Sequence, residues 1–309
     1  MGGVLCSGSI IHDTLVHPAG EAAWGTTTFV QTIQPFPGGN GANTSLALAK
    51  AGGRVRLLGV VGEDEPGRFL IGELQRAGVD TAGVRVVSGA TAATIVLVNH
   101  NGERRFLHRM GVSSEAFGEG IDFAGAVAEG MAHYHLSSLF ILPRLRPLAP
   151  GILAAARAAG LTTSLDTNWD PQGRWMRDIG PCLPHLDLVF MNEDEARMCT
   201  GHGDPRPAAE VLLRGGASTV VLKLGARGCA IYTGDRELLV AGFPVEVLDT
   251  TGAGDSFVGG FLCAWQQGAP LAEAGRFGNA LGAMVVQHVG GAAGLEDGLD
   301  VAGWIAQRG

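Results

Sequence analysis

The residues best suited to chemistry lie between 248 and 265, in the segment LDTTGAGDSFVGGFLCAW. An extended approach ends at Asp249, and the small residues 252–254 lead into a predicted helix with Asp255 in its first turn. Small residues leave backbone N–H groups uncovered at a helix N-terminus, where the helix dipole favours an anion. A carboxylate with an ordinary pKa near ~3.9 is ionised at neutral pH and can accept a hydroxyl proton. The segment therefore predicts an anion hole beside a general base, although either acid alone would also suit a helix cap.

A second glycine-rich segment lies earlier in the chain, in PFPGGNGANTSLALAKAGGRVRLLGVVGEDEPG at 35–67. Gly39, Asn40 and Asn43 stand at the mouth of a predicted helix. Amide side chains both donate and accept hydrogen bonds, which suits the hydroxyl groups of a polyol. A glycine-rich turn with Asn43 as a helix cap is the structural alternative. This second segment alone is a weak signal, whereas the full run at 248–265 is more specific, and the prediction rests on the two together.

Several common catalytic signatures are absent from the sequence. Neither Lys50 nor Lys223 follows a glycine, so there is no phosphate-binding loop with the pattern GxxxxGK[ST], and GxSxG and HExxH are also missing. Phe257 occupies the place of the third glycine that a dinucleotide-binding GxGxxG would need. P-loop NTPases, α/β-hydrolases, zincins and Rossmann dehydrogenases are therefore disfavoured.

The elements that must position these residues alternate between strand and helix. Apolar strands are predicted at 4–11 and 55–62 and, after residue 132, in AHYHLSSLF, LTTSLD, LDLVFM and STVVLKLG; helices are predicted at 42–51, 67–77, 148–159, 253–267 and 271–288. This alternation predicts an α/β fold, a three-layer α/β/α sandwich with a mostly parallel central sheet. A β-hairpin is predicted around NHNGE within 92–108, paired with strands from 14–36. We therefore expect one domain over 1–309, with a small β-sheet lid formed from about 14–37 and 91–110.

Composition excludes several partners. A net charge of −8 and the lack of any Lys/Arg cluster disfavour nucleic acid and anionic membranes. No run of eighteen apolar residues and no signal peptide are found, so a cytoplasmic location is expected. Five scattered cysteines predict buried thiols and not a disulfide framework.

The chain resembles the PfkB, or ribokinase, family of carbohydrate kinases along essentially its whole length. The matching segments are GSIIHD at 8–13, GGNGAN at 38–43, VGEDEPG at 61–67, NEDE at 192–195, LGARG at 224–228 and DTTGAGDSF at 249–257. The resemblance implies a ribokinase-like fold and transfer of the γ-phosphoryl group of ATP, with Mg²⁺, to a primary hydroxyl of a neutral sugar. A nucleoside or 2-keto-3-deoxygluconate is the alternative acceptor, and a non-catalytic sugar- or nucleotide-binding relative is the alternative from another class. A homodimer formed through the lid is also expected.

The resemblance also implies roles for individual residues. Asp255 would be the base, and its amide with those of Gly252, Ala253 and Gly254 would form the anion hole. The sugar hydroxyls would be bound by Asp13, at the end of the first strand, and by Gly39, Asn40 and Asn43. The nucleotide side would comprise Asn192, Lys223, Gly225, Gly228 and Asn279, with Glu195 organising phosphate and hydrated Mg²⁺. For Asn192 and Glu195, a helix-capping Asn with a solvated Glu is the alternative. Asp249 and Thr251 match a loop that holds a monovalent cation, such as K⁺, in many members.

The acceptor is the least defined part of the prediction. Asp170 stands where related sugar-acid kinases carry an arginine, and an acid there would repel a sugar carboxylate. Arg109 is a candidate acceptor contact, against the alternative of an exposed hairpin arginine, and Arg174 could also neutralise a carboxylate. His133 and His135 share one strand face but lack further ligands, so packing is expected and not zinc.

Overall fold

The computed structural model of the chain describes residues 2–19, 24–99, 103–234 and 236–308. Its strands, in chain order, are β1 (Gly3–Ser7), β2 (Ile11–His17), β3 (Thr32–Gly38), β4 (Val55–Gly62), β5 (Asp80–Val87), β6 (Ala93–Val98), β7 (Arg104–Arg109), β8 (Met131–Leu136), β9 (Thr162–Asp166), β10 (Leu188–Asn192), β11 (Thr219–Lys223), β12 (Gly228–Thr233) and β13 (Arg236–Ala241). Its α-helices are α1 (Asn40–Lys50), α2 (Glu65–Arg76), α3 (Phe123–Ala128), α4 (Leu145–Ala158), α5 (Met176–Ile179), α6 (Glu193–Thr200), α7 (Pro205–Arg214), α8 (Ala253–Gln266), α9 (Leu271–Val285) and α10 (Val301–Ala306).

The large sheet has nine strands in the order β13-β12-β11-β10-β9-β8-β1-β4-β5. All neighbours from β11 to β5 run parallel, and only β12 and β13 join in antiparallel fashion. The predicted mostly parallel α/β fold is confirmed. No strand was predicted for β5, whose partly exposed residues at the sheet edge give a weak apolar pattern.

Helices cover both faces of this sheet, and alternate residues of its central strands enter opposite cores. On one face Leu5 and Val189 pack with Leu153 of α4. On the other face Cys6 and Phe190 pack with helix residues that include Phe261 of α8. Because successive side chains point to opposite sides of a strand, strands buried on both faces read as continuous apolar runs.

The smaller sheet forms the lid, in the order β3-β2-β6-β7. Strand β2 pairs antiparallel with β3 and parallel with β6, and β6 pairs antiparallel with β7, so the predicted hairpin and its pairing are confirmed. Residues 100–102 of the predicted turn at NHNGE lie outside the described residues, and so do residues 20–23 of the segment predicted to form the lid. One boundary was wrong: the first strand ends at Ser7, not at residue 11, so Asp13 lies within β2 of the lid.

The parallel strands bring three polar residues to one edge of the large sheet. Asp166, Asn192 and Lys223 end β9, β10 and β11, and Asn192 pairs directly with Lys223. Ligand sites of open parallel sheets lie at this edge. No helix among the described residues has the length and apolar character needed to cross a membrane.

The buried histidines and cysteines are part of the core. His133 contacts the hydroxyls of Thr162 and Ser164 at 2.8 and 2.7 Å, and His135 contacts Ser164 at 2.7 Å. Burial lowers the pKa of His133 to about 3. The five cysteines are buried and free, and no cluster of three metal-ligating side chains occurs within the described ranges. The predicted burial of the thiols is confirmed, and both histidines lie in the core.

Candidate active site

The N-terminus of α8 forms the centre of the site. Gly252 is its N-cap, with a left-handed φ of 70° that glycine adopts without strain. The first turn of a helix has N–H groups with no intrahelical acceptor. The amide of Ala253 donates to the carbonyl of Thr250 at 3.3 Å. The other three amides predicted for the anion hole, those of Gly252, Gly254 and Asp255, have no backbone acceptor among the described residues.

Asp255 is buried, and two asparagines hold its carboxylate. Nδ2 of Asn40 donates to Oδ1 and Nδ2 of Asn43 donates to Oδ2, each at 2.9 Å. Burial raises the pKa of Asp255 above its ordinary value, while the two amides and the charge of Lys223 oppose the rise. The sequence predicted these asparagines as sugar contacts, but in the structure their amides orient the predicted base.

A polar cluster behind Asn40 determines which way its amide points. Oδ1 of Asn40 accepts a hydrogen bond from Ser138 at 3.2 Å, and its backbone N–H donates to Oγ of Ser9 at 3.1 Å. Ser138 has a left-handed φ of 63°, which is strained for a serine. At Gly39, with φ 91°, a Cβ would lie 2.5 Å from the carbonyl of Ser9, so only glycine fits. Because Oδ1 accepts from Ser138, Nδ2 must face Asp255.

Lys223 and Asp166 form a buried ion pair beside the anion hole. Nζ of Lys223 is 2.8 Å from Oδ1 of Asp166 and would lie 3.3 Å from a Cβ at Gly254. Burial lowers the pKa of Lys223, but Asp166, Glu195 and Asp255 more than offset this, so the lysine stays charged. Asp166 was missed in the sequence, although an acid ending an apolar strand was the available signal.

Asn192 and Glu195 form a capping box at the start of α6. The side chain of Asn192 accepts from the amide of Glu195, and Oε2 of Glu195 accepts from the amide of Asn192, both at 2.8 Å. Thr167 also donates to this oxygen at 2.9 Å, and the Glu195 side chain is buried. The capping alternative is thus present, but the glutamate is buried near Asp166 and not solvated.

A cavity of about 530 Å³ opens next to the anion hole. Apolar side chains and glycine backbone make up most of its wall, and four of the predicted nucleotide-side residues belong to it: Lys223, Gly225, Gly228 and Asn279. Ala253 and Gly254 form the end of the cavity nearest the base. Nδ2 of Asn279 donates to the carbonyls of Val240 and Ala241 at 3.0 and 3.1 Å, so this amide anchors the wall.

Asp13 contributes a carboxylate from the lid. It is partly buried, and a Cβ at Gly38 would lie 2.0 Å from its Oδ2, so the glycine makes room for it. Burial raises the pKa of Asp13 to about 6, and a hydrogen bond with Thr94 opposes the rise. No cationic partner is found for Asp13 in the described part of the chain.

Arg109 and Asp170, which the sequence analysis placed near the acceptor, have other partners in the structure. Arg109 pairs with Ala93, whereas Asp13 pairs with Thr94, so the register places Arg109 on the opposite face of the lid, where it donates to the carbonyl of Thr91. This geometry fits the alternative of an exposed hairpin arginine. Asp170 is buried in a bidentate pair with Arg146, so the expectation that its charge faces an acceptor was wrong.

The loop of Asp249 and Thr251 has a partner that the sequence did not predict. Nη2 of Arg104, from the lid, lies 2.6 Å from Oδ1 of Asp249, and Nη1 donates to the hydroxyl of Thr251 at 3.0 Å. Residues 104 and 249 are far apart in the chain, so no sequence spacing indicates the contact.

Comparison with known proteins gives a family match over most of the chain. Residues 2–298 match the pfkB family carbohydrate kinase model. An ATP-dependent ribose-1-phosphate kinase of Halopiger xanaduensis is 32% identical over 90% of this chain and 88% of its own length. Fructokinase-2 of Zea mays is 29% identical over 93% and 89%. The structure of Arabidopsis thaliana ribokinase complexed with ribose and ATP superposes with a TM-score of 0.87 at 25% identity, covering 98% of both chains.

Proposed function

The chain belongs to the pfkB family of carbohydrate kinases, and we propose that it transfers the γ-phosphoryl group of ATP to a primary hydroxyl of a neutral sugar. Asp255 would accept the hydroxyl proton as the oxygen attacks phosphorus. The observation that carries the proposal is the position of this carboxylate, held by two amides at the N-terminus of α8. A raised pKa makes the carboxylate a stronger base than an exposed aspartate.

The negative charge of the transferring phosphoryl group would be stabilised from two sides. The amides of Gly254 and Asp255 would donate to the phosphoryl oxygens, and Lys223 would approach them from the end of β11. Phosphoryl transfer depends mainly on in-line positioning and charge neutralisation, so these groups supply what the reaction needs without a phosphate-binding loop.

ATP would occupy the 530 Å³ cavity, with the adenine among its apolar residues and the phosphates toward Gly254. Mg²⁺ usually enters such sites on the phosphates and takes only one or two protein carboxylates. Glu195 fits that limited role, because Oε2 is hydrogen-bonded while the structure gives Oε1 no partner within the described residues. When bound, the ion would neutralise phosphate charge.

The surroundings of the acceptor favour a neutral molecule. Asp13 lies beside Gly38, and Asp255 is hydrogen-bonded to Asn40 and Asn43, so both carboxylates lie near the glycine-rich turn at 38–43 where the acceptor would bind. Arg109 lies on the other face of the lid. An anionic acceptor would meet two acids without a nearby free cation among the described residues, which is electrostatically unfavourable. Carboxylates accept hydrogen bonds from the hydroxyls of pentoses, hexoses and the ribose of nucleosides equally well. A nucleoside therefore remains the alternative acceptor.

A homodimer through the lid is part of the proposal. Ile33, Ile95 and Leu107 share the outer lid face and are 68%, 44% and 53% exposed. A second copy covering this face would remove apolar surface from water. Sedimentation velocity of the wild type and Leu107→Glu tests this: a dimer that becomes monomeric supports it, and a monomeric wild type contradicts it.

An acceptor panel tests the main proposal. ADP formation is measured with ribose, fructose, adenosine and 2-keto-3-deoxygluconate, and with ribose 1-phosphate because of the 32% identical relative. The Asp255→Asn variant gives the background ATP hydrolysis. The expected result is the highest kcat/KM for a neutral sugar, and a clear preference for either anionic acceptor would overturn the neutral-acceptor argument.

A further inference from the structure

An arginine of the lid lies on the side that faces the active site. The strand register places Asp13, Thr94 and His108 next to one another across β2, β6 and β7. Arg104 precedes His108 by four residues on β7, so its side chain points to the same face as that of Asp13. It is only 20% exposed.

Arg104 is the cationic partner of a buried carboxylate. Its Nη2 lies 2.6 Å from Oδ1 of Asp249, whose side chain is 5% exposed. Asp249 also accepts from the amides of Thr251 at 2.7 Å and Gly290 at 3.2 Å. Within the described residues no other cation is paired with Asp249. A buried carboxylate depends strongly on such a partner, because removing one member of a buried pair leaves an uncompensated charge.

The residues of this loop do not fit the K⁺ ion that the family resemblance implies. Oδ1 of Asp249 and the hydroxyl of Thr251, two side-chain oxygens of this loop that could ligate the ion, both contact Arg104. A second cation beside the guanidinium would be repelled by it. The positive charge already comes from the chain itself.

We infer that Arg104 replaces a monovalent cation in this loop and makes the geometry of the anion hole depend on the position of the lid. Thr251 directly precedes Gly252, the N-cap of α8, so a shift of Thr251 moves the amides of Gly254 and Asp255. Misplacing reacting groups by about 1 Å can reduce a rate by about 100-fold. Arg104 is thus a positioning residue for phosphoryl transfer, and the inference rests on the proposed kinase activity.

The test compares wild type, Arg104→Ala and Arg104→Lys, with Arg105→Ala as the matched control on the exposed side of the same strand. Each is assayed in potassium chloride, dilute guanidinium chloride and tetramethylammonium chloride at constant ionic strength. We expect equal wild-type kcat/KM in potassium and tetramethylammonium, and a loss of about 10- to 100-fold for Arg104→Ala alone. Arg104→Lys should lose less activity than Arg104→Ala. Adding guanidinium or potassium to Arg104→Ala should recover part of its lost kcat/KM.

Three outcomes would overturn the inference. These are severalfold potassium activation of the wild type, an Arg104→Ala variant as active as Arg105→Ala, or a loss that neither lysine nor any ion reverses. Thermal shifts provide a readout independent of turnover: potassium and guanidinium should stabilise Arg104→Ala relative to tetramethylammonium and leave the wild type unchanged. If the wild type phosphorylates no acceptor, the proposed function fails, while the thermal shifts still test Arg104.

Discussion

Two buried aspartates, Asp170 in the loop after β9 and Asp255 in the first turn of α8, differ in how their charge is compensated. Asp170 accepts two hydrogen bonds from Arg146 at 2.8 and 2.9 Å. It also accepts from the backbone amides of Gln172, Arg174 and Trp175. Asp255 accepts from the neutral amides of Asn40 and Asn43.

The pKa values of the two carboxyls move in opposite directions. Burial alone would raise the pKa of Asp170, but Arg146 and the three amides lower it below its ordinary value. Burial dominates at Asp255, and its pKa lies above the ordinary value. An acid in a bidentate pair with an arginine organises its loop, whereas an acid that is hydrogen-bonded by neutral amides, with Lys223 acting only through its charge, retains a tendency to bind a proton. Burial of an aspartate therefore does not by itself indicate catalysis.

The largest expected effect is on the rate of Asp255→Asn. Removing the base should lower kcat by roughly 10² to 10⁴ and leave sugar binding, measured by calorimetry, nearly unchanged. Oδ1 of Asn43 is buried without a partner among the described residues, so this amide can turn to accept from the new side chain. Asp170→Asn is the matched control and should retain most turnover. An Asp255→Asn variant with near wild-type kcat would exclude Asp255 as the base.

The next effect is on the stability of Asp170→Asn. This variant leaves the buried Arg146 with less compensation, so we expect a loss of about 3 kcal/mol in the free energy of unfolding. Denaturant titration measures the loss, and Asp194→Asn, which alters an exposed pair with Arg197, should change little. If Asp170→Asn and Asp194→Asn were equally stable, the ion pair with Arg146 would not stabilise the fold, and Asp170 would not differ from Asp255 in the way described.

The smallest expected effect is the pH dependence of the stability differences between the two aspartate variants and the wild type. Because the folded pKa of Asp170 is depressed, its stabilisation is present above the ordinary value near ~3.9 and is lost as pH falls through the folded pKa. The deficit of Asp170→Asn should therefore shrink in acid. Because the folded pKa of Asp255 is raised, ionising it costs stability as pH rises past ~3.9. Asp255→Asn should gain stability relative to wild type over that range, as thermal unfolding in a pH series would show.

Much of the site could be predicted because its residues are close in sequence. The residues from Asp249 to Asp255 form one turn and one helix start, and their glycines and acid follow from local backbone requirements. Glu195 and Asn192 form a capping box at a spacing of three, which is also local. The nucleotide-side glycines follow β11 directly.

The acceptor side was less predictable, because its geometry depends on strand register. Arg104 and Arg109 lie on one hairpin, but their positions on β7 differ by five, so their side chains emerge on opposite faces. A shift of one residue in the register would exchange them. Which arginine faces the site is therefore decided by pairing between β2, β6 and β7.

The alternation of apolar strands and helices, the small residues at the start of α8 and the acid in its first turn can be read from neighbouring residues of the sequence. The partners of the charges follow from the folded arrangement: the amides of Asn40 and Asn43 bind Asp255, Asp166 pairs with Lys223, and Arg104 pairs with Asp249. The free energy of a buried charge depends on groups within a few ångströms of it. Distant parts of the chain supply those groups, so local sequence patterns do not reveal them.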